Sequence, residues 1–429
     1  MSPPHPPSTR NLDDWLAYQQ QLHAQAIDLG LKRVRAVWQR LGSRRPAPQV
    51  ITVGGTNGKG STVAMLEAML TANGRTVGCY TSPHLHRYNE RVRLRGREAG
   101  DAALVAAFER IEAARGGTPL TWFEFGTLAA LELMADAGLD VAVLEVGLGG
   151  RLDAVNVIDA DAAIVVTVDL DHTDYLGPDR DAIGIEKAGI FRPGRPAIIG
   201  DSRAPHGLVD TAEAGGAKVW LAGRDYRLLR EVDGTVWHAG RQSLRLPPLA
   251  VPGPFQADNA AAALTALYAL RTTLGWPAAT YAAALAHVEV PARIQVVAEA
   301  PTLIVDVGHN PQAARALADW LRANRGSGHT LAVFSALADK DIAGIGAALG
   351  SCIDHWFCCG IDDAGPRGLE AGEVERRLLA GWPAAESSRH ADVPGALAAA
   401  RAVAAPGDRI VAFGSFHVAA AVPRGSGKA

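Results

Sequence analysis

Cysteine and long apolar runs are scarce in this sequence. Its four cysteines show neither metal-ligand spacing nor a disulfide framework; they are Cys79, Cys352, Cys358 and Cys359. No stretch reaches the roughly 18 uninterrupted apolar residues that a membrane span requires. The proline-rich start, MSPPHPPSTR, is not followed by the apolar stretch of a signal peptide. We therefore expect a cytoplasmic protein with reduced thiols and no membrane partner.

An excess of charge of either sign is also lacking. The formal net charge is -3 and the pI is about 6.5, which argues against a broad nucleic-acid-binding surface. With 48% apolar and 20% charged residues the composition is that of an ordinary globular protein. We expect a monomer whose partners are small molecules.

Lysine is unusually rare. Of the 42 lysines and arginines only six are lysines, so arginine supplies the generic surface cations. Lysine offers a compact charge and an amine whose pKa can be tuned, which arginine cannot. Lys59 and Lys187 lie inside motifs described below, and Lys340 lies in the segment ADKD, residues 338–341, where it could steady phosphate or the glutamate carboxylates. We therefore expect lysine to be kept where chemistry needs it, although Lys340 fits a solvated charge run equally well.

The pattern of strands and helices predicts an α/β protein of two domains, as a length of 429 residues also suggests. Helices are predicted over 11–26 and 31–41, and an apolar strand over 49–53 runs into a glycine-rich turn and a helix. Continued alternation predicts a mostly parallel open sheet, with a small antiparallel excursion over 226–246. A second α/β series follows a boundary near Val290, giving domains 1–290 and 291–429. We expect a substrate cleft between them.

The strongest chemical signal is the segment GGTNGKGS, residues 54–61, between a strand and a helix. Glycines let backbone N–H groups turn toward phosphate oxygens at a helix N-terminus. Lys59 would neutralise β/γ-phosphate charge, and the hydroxyl of Ser61 would reach Mg²⁺. The alternative is a plain glycine-rich turn. Gly60 separates Lys59 from the hydroxyl residue, which departs from the simple P-loop and is the form seen in Mur-type amide ligases.

A magnesium site is predicted at Glu145, because this carboxylate ends an apolar strand at the sheet edge where nucleotide ligands collect. Mg²⁺ takes hard oxygen ligands and keeps several waters, which Glu145 with Ser82 or Ser61 would satisfy. A salt bridge is the alternative for Glu145. For His172 the residues leave two roles open, metal ligand and hydrogen-bond partner, since imidazole suits softer metals than magnesium.

Several further motifs make the resemblance specific: TSPHLHRYNERVR (81–93), EVGLGGRLDAVN (145–156), DHTDYLGPDR (171–180), IEKAGIFRPG (185–194) and DVGHNP (306–311). Together with the phosphate loop they resemble the bacterial dihydrofolate synthase/folylpolyglutamate synthases among the Mur-type ligases. The resemblance implies a larger N-terminal P-loop ATPase-like domain with a mostly parallel sheet. It also implies a smaller C-terminal α/β, Rossmann-like glutamate ligase domain.

The resemblance also implies roles for residues that the pattern alone leaves open. It assigns ATP binding to Thr56, Asn57, Gly58, Lys59, Gly60, Ser61, Asn259, Arg293 and Asp306. It assigns Mg²⁺ to Ser82, Glu145, His172 and Lys187, the last as a carbamylated lysine, and catalysis to Lys59, His309 and Ser415. A surface ion pair is the alternative for Lys187, and a helix N-cap or core hydrogen bond is the alternative for Asp306. Gly308 stands where the family more usually has alanine, which we interpret as added backbone freedom.

For the dihydropteroate substrate the resemblance points to Asp28, Leu29, Gly30, Leu31, Thr121, Trp122, Phe123, Glu124, Leu152, Asp153 and Ala154. A stacked ring on Phe123 or Trp122 and an acceptor at Asp153 are physically reasonable. Simple core packing is the stronger alternative for the two aromatic residues. The match at Asp28 favours a bifunctional enzyme.

The implied reaction is ATP-dependent coupling of glutamate to dihydropteroate and to tetrahydrofolates. A carboxylate does not accept an amine directly, so ATP would convert it to an acyl phosphate, with Lys59 and Mg²⁺ stabilising the transferring phosphoryl group. Two alternatives remain: a Mur-type ligase with another acceptor, and a nucleotide-binding protein without catalysis. The retention of Lys59, Glu145, His172 and Lys187 argues against the last.

Overall fold

The computed structural model describes residues 11–25 and 27–423, which form two compact units. The first unit contains the described residues up to Leu249 together with Ala257–Val288. The second contains Ala250–Gln256 and the described residues from Glu289 onward. None of the helices in this part of the chain is long and apolar enough to span a bilayer.

The first unit is built on an eight-stranded sheet flanked by helices. Its strands are β1 (Gln49–Gly54), β2 (Val77–Tyr80), β3 (Val92–Leu94), β4 (Arg97–Glu98), β5 (Val141–Glu145), β6 (Ala162–Val165), β7 (Pro196–Ile199) and β8 (Lys218–Leu221), in the order β4-β3-β2-β5-β1-β6-β7-β8. The six strands from β2 to β8 in this order are parallel to their neighbours. At one edge of the sheet β3 pairs antiparallel with β2, and β4 pairs antiparallel with β3.

The remaining strands of this unit are β9 (Tyr226–Glu231), β10 (Gly234–Ala239) and β11 (Gln242–Arg245), which form an antiparallel sheet and confirm the predicted excursion. Its helices are α1 (Leu12–Gln20), α2 (Leu31–Arg40), α3 (Lys59–Ala72), α4 (Asp101–Arg115), α5 (Trp122–Asp136), α6 (Thr173–Leu176), α7 (Arg180–Ala188), α8 (His206–Ala214), α9 (Gln256–Ala269), α10 (Arg271–Leu274) and α11 (Ala278–Leu285).

The first helix is shorter than predicted. Asn11 caps α1, because its side chain accepts from the backbone N–H of Asp14 over 2.8 Å. The helix ends at Gln20, where the N–H of Gln21 bonds three residues back to the carbonyl of Tyr18 and closes a tighter turn. The predicted extension is therefore wrong, and its last residue, Ala26, lies outside the described residues.

The second unit has a six-stranded sheet in the order β12-β13-β17-β14-β15-β16, parallel except for β12. Its strands are β12 (Gln295–Glu299), β13 (Thr302–Val305), β14 (Thr330–Phe334), β15 (His355–Cys359), β16 (Ser387–His390) and β17 (Arg409–Phe413). Its helices are α12 (Pro311–Ala323), α13 (Ile342–Leu349), α14 (Ala371–Gly381), α15 (Val393–Val403) and α16 (Phe416–Ala421). The predicted class, two mostly parallel α/β sheets of which the second is smaller, is confirmed.

An aromatic group fills the core of the second unit. Phe334 at the end of β14 is fully buried; its ring centre lies 5.0 Å from that of Phe413 and 5.4 Å from that of Trp356. These separations are typical of favourable aromatic contacts. The neighbouring strands β17 and β15 supply the two partners, so the group fixes the strands to each other across the sheet.

We expect Phe334→Ala to destabilise the second unit by about 3–5 kcal/mol, because it leaves a cavity between two rings that cannot close fully. Chemical denaturation followed by tryptophan fluorescence measures the change. The control is Val403→Ala, since Val403 is 67% exposed and its truncation should change stability by less than about 0.5 kcal/mol. Equal stability of the two variants would contradict the assignment of Phe334 to the core.

Candidate active site

The loop between β1 and α3 is shaped by two glycines with positive φ. Gly55 has φ 144° and Gly58 has φ 87°, values that residues with a side chain rarely adopt. A Cβ atom on Gly58 would lie 2.6 Å from Oδ1 of Asn259. The N–H of Thr56 donates to the carbonyl of Thr167 over 2.8 Å, which attaches the loop to the end of β6. The structure thus brings Asn259, a predicted ATP residue, against the predicted phosphate loop.

The first turn of α3 presents groups that suit a phosphate. Gly58 gives the helix no side-chain cap, and the first N–H groups of a helix have no acceptor within it, so the N-terminus favours an anion. Nζ of Lys59 donates to the carbonyls of Gly55 and Thr56 over 3.1 and 3.2 Å and thus lies over the loop. Oγ of Ser61 is buried and finds no hydrogen-bond partner among the described residues. This hydroxyl fits the position that a phosphate oxygen or Mg²⁺ would use.

The carboxylate of Glu145 lies beside this loop. Glu145 ends β5 directly opposite Val53 of β1 and is 4% exposed. Its Oε2 accepts the backbone N–H of Ser82 over 3.0 Å, so two predicted metal residues are in contact. One buried carboxylate with the hydroxyl of Ser61 or Ser82 is a donor set that fits Mg²⁺, which keeps several waters.

Lys187 is buried in α7, with 3% of its surface exposed. Burial, and then the nearby charge of Lys59, lower the pKa of its ammonium group to about 7, although the carboxylates of Asp171 and Asp153 act in the opposite direction. The neighbouring Glu186 pairs instead with an arginine over 2.8 Å. The alternative of a surface ion pair for Lys187 is therefore wrong.

His172 lies close to the same acidic residue. It caps the start of α6 with φ 52°, and its backbone N–H donates to Oδ1 of Asp171 over 3.0 Å. Its Nε2 lies 3.9 Å from that oxygen. Because Asp171 also acts on the charge of Lys187, both predicted metal residues lie near one carboxylate. Among the side chains described in residues 11–25, 27–361 and 364–423, no three of His, Cys, Asp or Glu form a metal-binding group.

Asp153 has a structural role that the sequence did not indicate. Its two oxygens accept the backbone N–H groups of Leu148 and Val155, each over 2.9 Å, and it caps the 3₁₀ turn Ala154–Val157. Burial raises the pKa of this carboxyl group to about 6, although the backbone donors and Lys59 oppose the change. Each carboxylate oxygen can accept a second hydrogen bond, so the geometry leaves room for a substrate donor.

The predicted substrate residues at 28 and 124 are joined by an arginine. Nε of Arg33 donates to Oε2 of Glu124 over 2.8 Å, and its NH1 donates to Oδ2 of Asp28 over 2.7 Å. Thr121 and Glu124 also form a capping box at the start of α5. The spacing of a threonine and a glutamate three residues later is a local signal that could have been used. The hydrogen bond from Arg33 to Glu124 joins residues 91 positions apart and has no such signal.

The two aromatic residues of this stretch are half-buried rather than fully enclosed. The ring of Phe123 fills the space beside Gly147, where a Cβ atom would lie 2.5 Å from Cζ. Trp122 packs against Tyr88 with ring centres 5.2 Å apart, and its Nε1 is buried without an acceptor in the described part of the chain. Both rings therefore pack tightly while keeping some exposed surface.

Two residues of the 81–93 motif escaped individual notice in the sequence. Nε of Arg91 donates to Nδ1 of His84 over 2.8 Å, and the guanidinium carbon lies 4.6 Å from the ring centre of Trp122. Burial, and then the charge of Arg91, lower the pKa of His84 to about 4. The histidine is thus neutral at physiological pH.

In the second unit, Asp306 follows β13 and organises the next turn. It is 7% exposed; Oδ2 accepts the N–H of Ile294 over 2.9 Å, and Oδ1 accepts that of Gly308 over 2.7 Å. Burial raises the pKa of its carboxyl group against the effect of Arg293. The helix is capped by Asn310 instead, so the N-cap alternative for Asp306 is wrong. A Cβ atom on Gly308 would lie 2.6 Å from Oδ1 of Asp306, so this glycine provides space more than backbone freedom.

The two predicted catalytic residues of this unit lie at the starts of helices. Nδ1 of His309 lies 2.9 Å from the carbonyl oxygen of Val307; since a carbonyl only accepts, Nδ1 carries the proton. Ser415 is buried and caps α16, its Oγ accepting the N–H of Val418 over 3.1 Å. Lys340 is also buried and lies 3.4 Å from the carboxylate of Asp339, so its interpretation as a solvated charge is wrong.

We expect Gly58→Ala to weaken ATP binding by about 10-fold or more, because positive φ costs a side chain roughly 1–2 kcal/mol and the new Cβ would displace Asn259. Calorimetric titration with ATP measures the affinity. The matched control is Gly74→Ala, which has φ 72° and no atom within 4 Å of the new Cβ. It should lose some stability and keep its affinity for ATP. Equal affinities of the two variants would contradict the assignment of the loop.

Comparison with known proteins adds independent findings. Residues 53–267 match the Mur ligase middle domain, and residues 292–416 match the glutamate ligase domain of Mur ligases. The dihydrofolate synthase/folylpolyglutamate synthase of Escherichia coli (strain K12) is 45% identical over 97% of this chain and 96% of that protein. The protein of the same name from Haemophilus influenzae is 40% identical over 96% of this chain and 97% of its own length.

Comparison with solved structures finds the same family of proteins. Escherichia coli FolC in complex with DHPP and ADP matches with a TM-score of 0.90 and 44% identity, covering 97% of both chains. The bifunctional folylpolyglutamate synthase/dihydrofolate synthase of Yersinia pestis, complexed with AMPPNP and a Mn ion, matches with a TM-score of 0.88 and 43% identity, over 97% of this chain and 98% of that one. This chain therefore belongs to the Mur ligase family, and within it to the dihydrofolate synthase/folylpolyglutamate synthases.

Proposed function

We propose that this chain is an ATP- and Mg²⁺-dependent ligase that joins L-glutamate to dihydropteroate, forming dihydrofolate, and to tetrahydrofolates, forming folylpolyglutamates. The reaction passes through an acyl phosphate and releases ADP and phosphate. The observation that carries the proposal is the phosphate loop, with Lys59 lying over it and the buried Glu145 on the adjacent strand.

The relatives support the choice of ligands. FolC from Escherichia coli has been solved with DHPP and ADP, and a bifunctional relative 43% identical to this chain has been solved with Mn, AMPPNP and L-glutamate. A nucleotide, a divalent cation, a pteroate derivative and glutamate are the components that the proposed reaction needs.

In the first unit, we assign ATP phosphate binding to the loop and the first turn of α3, with Asn259 supporting the loop. These residues are Thr56, Asn57, Gly58, Lys59, Gly60 and Ser61. The ammonium group of Lys59 balances the negative charge that a transferring phosphoryl group spreads over its oxygens. Mg²⁺ supplies further charge neutralisation when bound, and Ser82, Glu145, His172 and Lys187 are the residues we assign to hold it.

The pteridine end of the substrate is assigned to three stretches, residues 28–31, 121–124 and 152–154. Arg33 supports this grouping because it bonds Asp28 and Glu124 at the same time. Trp122 and Phe123 offer half-buried faces on which a planar ring could stack, and Asp153 keeps capacity to accept one more donor on each oxygen.

In the second unit, we assign Arg293 and Asp306 to ATP, and His309 and Ser415 to glutamate and the acyl phosphate. Arg293 lies 5.7 Å from the ring centre of Phe416 and acts electrostatically on Asp306. The Nδ1–H tautomer of His309 leaves Nε2 as the basic nitrogen, suited to orient or deprotonate an amine. The four free cysteines support a cytoplasmic location. The monomeric state and the lack of nucleic-acid partners stay predictions.

We expect glutamate-dependent release of ADP when the chain is supplied with dihydropteroate, ATP and Mg²⁺. A coupled assay of ADP measures it, with aspartate in place of glutamate as the control. The same assay with tetrahydrofolate tests the second activity. Turnover only with an unrelated acceptor acid would indicate a Mur-type ligase of another specificity. ATP turnover absent with every acceptor would indicate a nucleotide-binding protein, and either result would overturn the proposal.

We further expect Lys187 to carry a CO₂ adduct. Only the neutral amine reacts with CO₂. At pH 7 about half of the Lys187 side chains are neutral when the pKa is about 7, against roughly one in 2,500 for an ordinary lysine. The neutral fraction rises as pH increases through 7, so adduct occupancy should rise between pH 6 and pH 8. Carbon NMR with labelled bicarbonate measures occupancy, and loss of the signal in Lys187→Arg assigns it.

The control for this experiment is Lys218, which is exposed on β8. Lys218→Arg should keep both the carbamate signal and the activity, whereas Lys187→Arg should lower activity by roughly 10- to 100-fold, as loss of a group around a metal commonly does. A fully active Lys187→Arg variant without a carbamate signal in the wild type would contradict the modification.

A further inference from the structure

Arg91 is a buried arginine without an acidic partner. It is 6% exposed, and buried arginines are ordinarily paired with a carboxylate. Among the side chains described in residues 11–25, 27–361 and 364–423, no Asp or Glu bonds to it. The guanidinium instead lies 4.6 Å from the ring centre of Trp122 and 5.7 Å from that of Tyr88, and Nε donates to His84. Arg91 is thus a buried cation of the first unit that forms no ion pair with a described carboxylate.

The contact with Arg91 determines where His84 carries its proton. A guanidinium group only donates, so Nδ1 of His84 must be the acceptor of the 2.8 Å hydrogen bond. In a neutral imidazole the proton then lies on Nε2. No acceptor for Nε2 is found among the side chains described in residues 11–25, 27–361 and 364–423. His84 therefore presents a fixed N–H donor, and Arg91 fixes it.

The location of His84 indicates what this donor can reach. Two residues earlier, the backbone of Ser82 is bonded to Glu145 at the carboxyl edge of the sheet. The ring of His84 lies 6.5 Å from that of Trp122 and 6.0 Å from that of Tyr88. His84 is thus two residues from Ser82, which is assigned to Mg²⁺, and its ring lies near that of Trp122, which is assigned to the pteridine end.

From these contacts we infer that His84 donates a hydrogen bond from Nε2 to the carboxylate of the folate-type substrate, and that Arg91 is the positioning residue that sets the tautomer and supplies the compensating charge. This inference rests on the proposed function and deepens it. A neutral donor suits a carboxylate that must later react. It orients one oxygen, whereas a bidentate arginine would engage both and leave neither free to attack phosphorus.

Two substitutions test the roles of the two ring nitrogens of His84 one at a time. In His84→Asn the amide reaches the position of Nδ1 and can still accept from Arg91, but the donor at Nε2 is lost. In His84→Gln the amide reaches the position of Nε2 and can still donate. We expect His84→Asn to raise the KM for dihydropteroate by roughly 10-fold, with the KM values for ATP and glutamate unchanged. His84→Gln should recover part of the loss.

Direct binding tests the carboxylate contact apart from turnover. Calorimetry compares dihydropteroate with the analogue in which hydrogen replaces the carboxyl group. His84→Asn should weaken dihydropteroate binding by the same factor of roughly 10 and leave binding of the analogue unchanged. Equal weakening of both ligands would show a merely structural role, and no weakening of either would show no contact. Either result would overturn the inference.

Arg91 is tested by a pair of variants. Arg91→Lys keeps the charge and one donor, so it should bind dihydropteroate more tightly than Arg91→Gln, while both bind the analogue equally. The control is His86→Asn, because His86 is exposed in the same loop and should behave as wild type. Wild-type activity with dihydropteroate is measured first. Its absence would refute the proposed function, whereas an active wild type with an unaffected His84→Asn variant would refute only this inference.

Discussion

Two lysines that interact electrostatically, Lys59 and Lys187, set the chemistry of the first unit. Lys187 has lost most of its contact with water, and the charge of Lys59 acts on it in the same direction as burial, so its amine is readily neutral. Asp153 and Asp171 oppose this effect only in part. A site that holds Lys59 over the phosphate loop and lowers the pKa of Lys187 can use the two lysines for different purposes, one for charge balance and one as a reactive amine.

The parallel sheet explains why the phosphate loop lies beside Glu145 and Thr167. The phosphate loop follows β1, Glu145 ends β5, and Thr167 follows β6, and these three strands are neighbours in the order β5-β1-β6. Parallel neighbours end at the same edge, so Val53 meets Glu145 and Thr56 meets Thr167 there without any local signal, although the members of each pair are far apart in the chain. Asn259 joins them from α9, and a side chain at Gly58 would collide with it. The close approach of Asn259 on α9 therefore requires glycine at position 58 of the loop.

Predictions from the sequence succeeded where the signal was local. The strand, loop and helix around Lys59 lie within a few residues of each other, and the order of strands and helices follows from hydrophobic periodicity alone. The end of α1 was missed because a tight turn replaced a continuing helix pattern. The burial of Lys187 and Lys340 could not be read from their neighbours, since a short charged stretch looks the same on a surface and beneath a loop. The Arg33 link and the unpaired Arg91 depend on contacts between distant segments, which a single sequence does not reveal.

The different chemistry of arginine and lysine explains why arginine is common in this chain and lysine rare. Most buried or half-buried arginines hold carboxylates in fixed geometry: Arg33 bonds Asp28 and Glu124, and Arg93 bonds Glu67. A guanidinium cannot give up its proton at physiological pH, so it serves well where a charge must stay. Lys187 occupies a place where the charge can be lost. Arg91 departs from both patterns, because it keeps its charge and bonds a neutral imidazole rather than an acid. A permanent cation placed this way is best explained by an anion that comes with the substrate, since burying an uncompensated charge would otherwise cost stability.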